Sequence, residues 1–257
     1  MEMLQSAARV IRVIELLAER KSMRLDDVAL ELEVHKSNAL RLLGTLRRFD
    51  WVAVDEQQGR YRLGHGLIRV GEAASAGFRM DKAIAIAERL RDLTGETVHI
   101  SIPAGDAMLI VGTIESQNVL RVIFNLGTED PLHATAVGKA YLACQESGRL
   151  TEILDRITLK RYTPTTITSK KKLRAQLDDI RHDGYAINVR EALDSTAALA
   201  VALNLQGDRQ APICLSITGP AERFTEPTIR SMAAEILKII EPFQALSSSA
   251  ESAPEPT

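Results

Sequence analysis

The stretch LDDVALELEVHKSNALRLLGTLRRFDWVAVDEQQGRYRLG, residues 25–64, constrains the chain more than any other. It opens with Leu25, Val28, Ala29 and Leu32 at three- and four-residue spacing, which predicts a short helix with one apolar face. Three turn residues, 33–35, lead into a longer helix over about 36–49, with Leu40, Leu43 and Leu46 expected inward. Its opposite face is polar and cationic. Ser37, Arg41, Thr45 and Arg48 recur at intervals of four and three, flanked by Lys36 and Asn38. Small polar groups at the start of a helix suit base edges in a major groove, and cations further along suit phosphates and guanines. Two short alternating segments, 51–54 and 60–63, then flank a polar turn ending in Gly59 and predict a β-hairpin. Arg60 and Arg62, two apart, share one face of its second strand. A cationic stripe by itself is more often a solvated face than a binding surface. Helix, tight turn, basic helix and basic hairpin in this order predict a winged helix-turn-helix.

A chain of 257 residues is long enough for two domains. Its hydrophobic fraction of 45% and charged fraction of 26% are those of a globular protein, and 4% aromatic content demands an aliphatic core. The net charge of −2 argues against wholesale coating of nucleic acid and leaves room for a local basic patch. Cys144 and Cys214 form neither a C-x-x-C pair nor a disulfide framework, which fits a reducing cytosol. With no signal-like apolar segment and no long apolar run, the expectation is a cytoplasmic protein with no membrane partner.

Residues 4–19 predict a helix with Leu4, Ala7, Ile11, Ile14 and Ala18 inward. Its polar stripe, Gln5, Arg9 and Arg12, fits either DNA backbone or plain solvation. Residues 67–80, rich in Gly and Ala, read as a linker helix, with pairing in a dimer or simple spacing both open. Beyond them come a helix from Asp81 with Ile84, Ala87, Leu90 and Leu93 inward, and strands at 97–102, 107–114 and 119–124. The loop NLGTEDPLHATAVGKA leads into a helix reaching Cys144, and further helices cover 150–156 and 170–182; strands at 185–189, 197–205 and 212–218 precede a last helix, 226–243. This order predicts an α+β domain with helices on a largely antiparallel sheet. The division is 1–64 for the DNA-binding domain, 65–80 for the linker, 81–245 for the second domain and 246–257 for a polar, disordered tail.

Two C-terminal strands have unusual alternation. Thr196, Ala198, Ala200 and Ala202 share one face, and Cys214, Ser216 and Thr218 share a face of the next strand. Paired, they give a sheet face of small side chains and hydroxyls. Such a face either leaves room for a small molecule or accepts a closely packed helix, and both outcomes stay open. Catalytic signals are weak. His35, His65, His99, His133 and His182 are scattered without metal-ligand spacing, and no nucleophile elbow or phosphate-cradling loop is present. The expectation is therefore no enzyme, no cofactor and no metal; the alternative is an enzyme using the C-terminal pocket, with His99 beside Cys214 or Ser216 as base and nucleophile.

The motifs QSAARVIRVIELLAE, HKSNALRLLGTL, GRYRLG, PLHATAVGKA and LSITGPAERFT together resemble the IclR family of bacterial transcriptional regulators. The resemblance implies a winged helix-turn-helix domain, a linker helix and a GAF-like effector-binding domain, in a homodimer or dimer of dimers. It implies repression or activation of a catabolic operon, with repression the expected outcome, through double-stranded operator DNA and a small organic effector. It assigns Lys36, Ser37, Asn38 and Arg41 to DNA, beside Arg48, Arg60 and Arg62 from the face argument. It assigns the effector pocket to Val119, Val122, Asp130, Ala136, Val137, Asn188, Thr196, Ala198, Ser216 and Thr218. Asn188 and Ala198 stand where a member binding short anionic acids has an acid and a cysteine, which implies a larger effector such as a monocyclic aromatic acid or its derivative.

Overall fold

The computed structural model describes residues 4–76, 79–205 and 212–243. The expected tail lies outside them. The chain divides into two compact units, Met1–Gly77 and Phe78–Thr257.

In the first unit, α1 (Gln5–Arg20), β1 (Met23–Arg24), α2 (Leu25–Glu31), α3 (Lys36–Arg48), β2 (Val52–Asp55), β3 (Arg60–Leu63) and α4 (Gly66–Ala76) follow one another. The strands form an antiparallel sheet in the order β1-β3-β2. Asp26 and Asp27 in the first turn of α2, and Arg47 and Arg48 in the last turn of α3, oppose the helix dipoles. Glu33, at φ 52°, makes the sharp turn between these helices. The core joins Val13, Leu16 and Leu17 of α1 to Val28, Ala39, Leu43, Leu46, Val52 and Tyr61.

Two inward stripes differ from expectation. Leu4 and Ile11 of the first segment are 70% and 57% exposed, because α1 turns Val13, Leu16 and Leu17 inward instead. In α3, Leu40 is 50% exposed and Ala39 takes its place, the smaller side chain letting α3 lie close to its neighbours. The expected helix 67–80 is described as α4, with 77 and 78 outside the described residues. Arg79, at φ 49°, starts a separate helix at Met80.

The second unit contains α5 (Met80–Thr94), β4 (Thr97–Ala104), β5 (Ala107–Ile114), β6 (Glu129–Pro131), α6 (Ala136–Ala143), α7 (Ser147–Arg156), α8 (Lys170–Asp183), β7 (Ala186–Val189), β8 (Thr196–Leu203), β9 (Ile213–Pro220) and α9 (Glu226–Ile240). Its six-stranded sheet runs β6-β5-β4-β9-β8-β7, with every pair antiparallel. One face carries Val98, Ile100, Leu199, Val201, Leu215 and Ile217 against Ala87 and Leu90 of α5 and Ile229, Ala233 and Ile236 of α9. Ile84, expected inward, is partly exposed; Ala83 and Ile86 fill that role. The other face carries Met108, Ala198, Ala200, Ala202 and Cys214 under α6, α7 and α8.

The expected strand at 119–124 is absent. Residues 127–131 occupy the free edge of β5 instead, through Gly127 N–H to Ile110 O, Ile110 N–H to Thr128 O and the β6 ladder. With the edge of β5 taken, the run Val-Leu-Arg-Val-Ile-Phe forms no ladder, and Val119 is 99% exposed. Pro131 is tolerated because β6 is an edge strand.

Candidate functional site

Two sites take shape, one in each unit. On α3, Lys36, Ser37, Asn38, Arg41, Thr45 and Arg48 are all exposed. His35 caps the helix, its Nδ1 accepting from Ser37 N–H at 3.3 Å. Lys36 pairs with Asp26 at 2.9 Å on the surface, where such a pair yields readily to a stronger anion. The helix thus presents small polar groups at its start and arginines further along.

The hairpin is less symmetrical than its spacing suggests. Asp55 Oδ1 accepts from Gln57 and Gln58 N–H to shape the turn, and Gly59 closes it at φ 62°. Arg62 is exposed. Arg60 is half-buried, and its guanidinium donates to Ser22 Oγ and Ser22 O at 2.9 and 2.8 Å. Arg60 thus shares a strand face with Arg62 and also ties the hairpin to the turn before β1.

In the second unit the small-residue face comes together through the ladder. Ala198 lies opposite Thr218, Ala200 opposite Ser216, and Ala202 opposite Cys214. Both outcomes left open by the sequence occur on this one face. Ala200 and Ala202 lie under packed helices, whereas Thr196, Ala198, Ser216 and Thr218 border a cavity of about 240 Å³. Asp130, Ala136, Val137 and Asn188 border the same cavity, so eight of the ten candidate residues meet there. Val119 and Val122 do not: with the strand 119–124 absent, they lie on an extended loop and Phe124 reaches the cavity in their stead.

Other walls come from Thr128, Pro131, Thr135, Tyr162, Ala192 and Leu193. These were not legible, because Tyr162 and Leu193 sit in loops without periodicity. Thr135 caps α6 by accepting from Gly138 N–H at 3.1 Å. Ala136 and Val137, whose N–H groups have no acceptor within the helix, border the cavity. Gly138 is required by close approach: a Cβ there would stand 2.5 Å from Leu132 Cα and carbonyl oxygen.

Asn188 is braced rather than free. Its Nδ2 donates to Ala134 O at 2.7 Å, and its Oδ1 accepts from Glu191 N–H at 2.9 Å. It therefore holds the turn before α6 against the loop after β7. Glu191 pairs with the fully buried Lys139 of α6 at 2.6 Å, a feature the sequence did not signal. Burial lowers the Lys139 pKa and raises that of Glu191, each opposed by its partner.

His99 lies across the β4–β9 ladder from Ser216. Its Nε2 accepts from Phe124 N–H at 3.2 Å, and burial lowers its pKa to about 4. The lone pair a general base would use is therefore committed to the backbone, while Ser216 Oγ pairs with Thr218 Oγ1 at 3.2 Å. Among the described residues no group of three or more His, Cys, Asp or Glu could hold a metal ion, and no helix is long and apolar enough to cross a membrane.

Comparison with known proteins decides the family. The model for the C-terminal domain of the bacterial transcriptional regulator IclR matches residues 80–242, and that for the IclR helix-turn-helix domain matches residues 6–56. The chain belongs to the IclR family. Among curated IclR relatives, the HTH-type transcriptional repressor AllR of Escherichia coli is 31% identical, over 86% of this chain and 82% of its own. The HTH-type transcriptional regulator KdgR of Dickeya chrysanthemi is 30% identical, over 86% and 72%. The crystal structure of an IclR-type regulator from Alicyclobacillus acidocaldarius matches with a TM-score of 0.77 at 27% identity, over 92% of this chain and 96% of that one. An IclR homologue from Microbacterium hydrocarbonoxydans, solved with 4-hydroxybenzoate, shares the fold with a TM-score of 0.78 at 22% identity, over 92% and 99%. The family places an IclR helix-turn-helix on the first unit and an IclR effector domain on the second.

Proposed function

We propose that this chain is a repressor of a catabolic operon whose DNA affinity is set by a small organic acid, of monocyclic aromatic size, bound in the second unit. The cavity bordered by Ala198, Ser216, Thr218 and the start of α6 carries this reading. Its volume of about 240 Å³ exceeds the ~150 Å³ that holds benzene, so a ring with one substituent fits and a two- or three-carbon acid leaves it mostly empty. The free N–H groups and dipole at the start of α6 suit a carboxylate. The presence of 4-hydroxybenzoate in a relative of the same fold supports the size class. Calorimetric titration with benzoates, glyoxylate and pyruvate tests it, and tighter binding of the short acids would overturn it.

On DNA, a homodimer, alone or paired with another, sets two copies of α3 ~34 Å apart in successive major grooves. Ser37, Asn38 and Arg41 read base edges, and Lys36, Arg48 and Arg62 contact backbone, which makes affinity steeply salt-dependent. Arg41→Ala removes an exposed guanidinium that no described residue pairs with, so its loss is expected to weaken operator binding by ~1–3 kcal/mol while the effector isotherm stays unchanged. Gel-shift and calorimetric titrations of that variant check both halves. Unchanged operator affinity would displace α3 from the groove.

A further inference from the structure

Among the described residues bordering the cavity there is no Lys, Arg or His, and Asp130 is the sole carboxylate. Asp130 lies on β6 opposite Met108 of β5. Met108 is buried on the sheet face that packs under α6, and directly paired residues of an antiparallel ladder point to the same side, so Asp130 faces the cavity for a geometric reason. Among the described residues its carboxyl has no hydrogen-bond donor and no ion-pair partner. The influence that moves its acidity is burial, which raises its pKa to about 6; no neighbouring charge offsets it. At neutral pH the group is therefore ionised for the most part, a half-buried acceptor on the cavity wall that no described donor satisfies. A ligand that fills the cavity strips solvent from this carboxylate, so the group is a candidate for pairing with a donor on that ligand.

We propose that Asp130 is a specificity-determining residue of the effector cavity, reading a hydrogen-bond donor, a hydroxyl or amino group, on an acid whose carboxylate lies at the N-terminus of α6. This rests on the reading of the cavity as an effector site and narrows the effector to hydroxy or amino acids in the chemical sense. An acid without a donor shuts solvent away from the Asp130 carboxylate and gives it no partner in exchange. An oxo group in the donor's place sets two acceptors against each other. A hydroxyl satisfies the carboxylate with one charge-assisted hydrogen bond. Discrimination therefore works chiefly by penalising ligands that lack the donor.

The test is calorimetry at neutral pH on the full chain, with benzoate, 3-hydroxybenzoate and 4-hydroxybenzoate as probes, for the wild type, Asp130→Leu and Asp130→Asn. The wild type is expected to bind at least one hydroxybenzoate about tenfold or more tighter than benzoate. Asp130→Leu is expected to bring the three within a few-fold of one another, and Asp130→Asn, which keeps an acceptor, to retain part of the preference. Benzoate binding as tightly as both hydroxybenzoates, or a preference that survives Asp130→Leu, overturns the proposal. If none of the probes binds the wild type, the aromatic-acid reading fails by itself, and the ligand-free chain judges Asp130. A melting temperature higher in Asp130→Leu than in the wild type marks a carboxyl held without a partner and sustains the proposal. An equal or lower one overturns it.

Discussion

At the scale of single residues, several polar side chains have their function set by what already holds them. Asn188 has the chemistry of a ligand contact, yet Ala134 O and Glu191 N–H engage its amide on both sides. His99 resembles a base, yet it serves as an acceptor for Phe124 N–H and so fixes a residue that borders the cavity. Its depressed pKa has a measurable consequence. As pH falls from 6.5 toward about 4, the unfolded chain takes up a proton on this imidazole before the folded chain does, so stability is lost across that window. The variant His99→Gln keeps an acceptor and does not titrate. Compared with it, the wild type is expected to lose roughly 3 kcal/mol more between neutral pH and about pH 4, read from urea unfolding at a series of pH values.

At the scale of elements, the hairpin and α6 give separable expectations. Arg60→Ala is expected to destabilise the first unit by about 1–3 kcal/mol, since it leaves Ser22 O and Oγ without their donor. Arg62→Ala is expected to leave the melting temperature unchanged and to lower the salt slope of operator binding by about one. Gly138→Ala drives a methyl into the Leu132 backbone, so it is expected to cost about 1–3 kcal/mol and to weaken effector binding by displacing the start of α6. Elements with strong periodicity were readable in advance, and so was the pairing of Ala198, Ala200 and Ala202 with Thr218, Ser216 and Cys214, because alternation along a strand fixes the face. The run at 119–124 misled for a definite reason: apolar β-branched composition makes a strand only where a neighbouring strand is open to it, and residues 127–131 had taken the edge of β5. Likewise, Leu4, Ile11 and Leu40 fit a helical stripe one step round from the buried one, an ambiguity of phase that neighbouring elements resolve. Loop residues such as Tyr162 and Leu193 carry no period and entered the site unannounced.

At the scale of the whole molecule, each unit has its own core, so a change in one is expected to leave the other folded. If an effector alters operator affinity by a factor, operator DNA must alter effector affinity by the same factor, typically 5- to 150-fold at ~1–3 kcal/mol of coupling. Titrating the effector with and without operator duplex checks this, and unequal factors would show that a third equilibrium, such as assembly, intervenes. The large central sheet has a consequence of its own. Leu199, Val201, Leu215 and Ile217 anchor one side of it, while Ala198 and Ser216, their neighbours along the same strands, look into the hollow on the other. Chemical selectivity and mechanical integrity are thereby assigned to alternate positions of one backbone. A designer wishing to retune this sensor has a short stretch of sites to vary, with the scaffold's keystones left untouched between them.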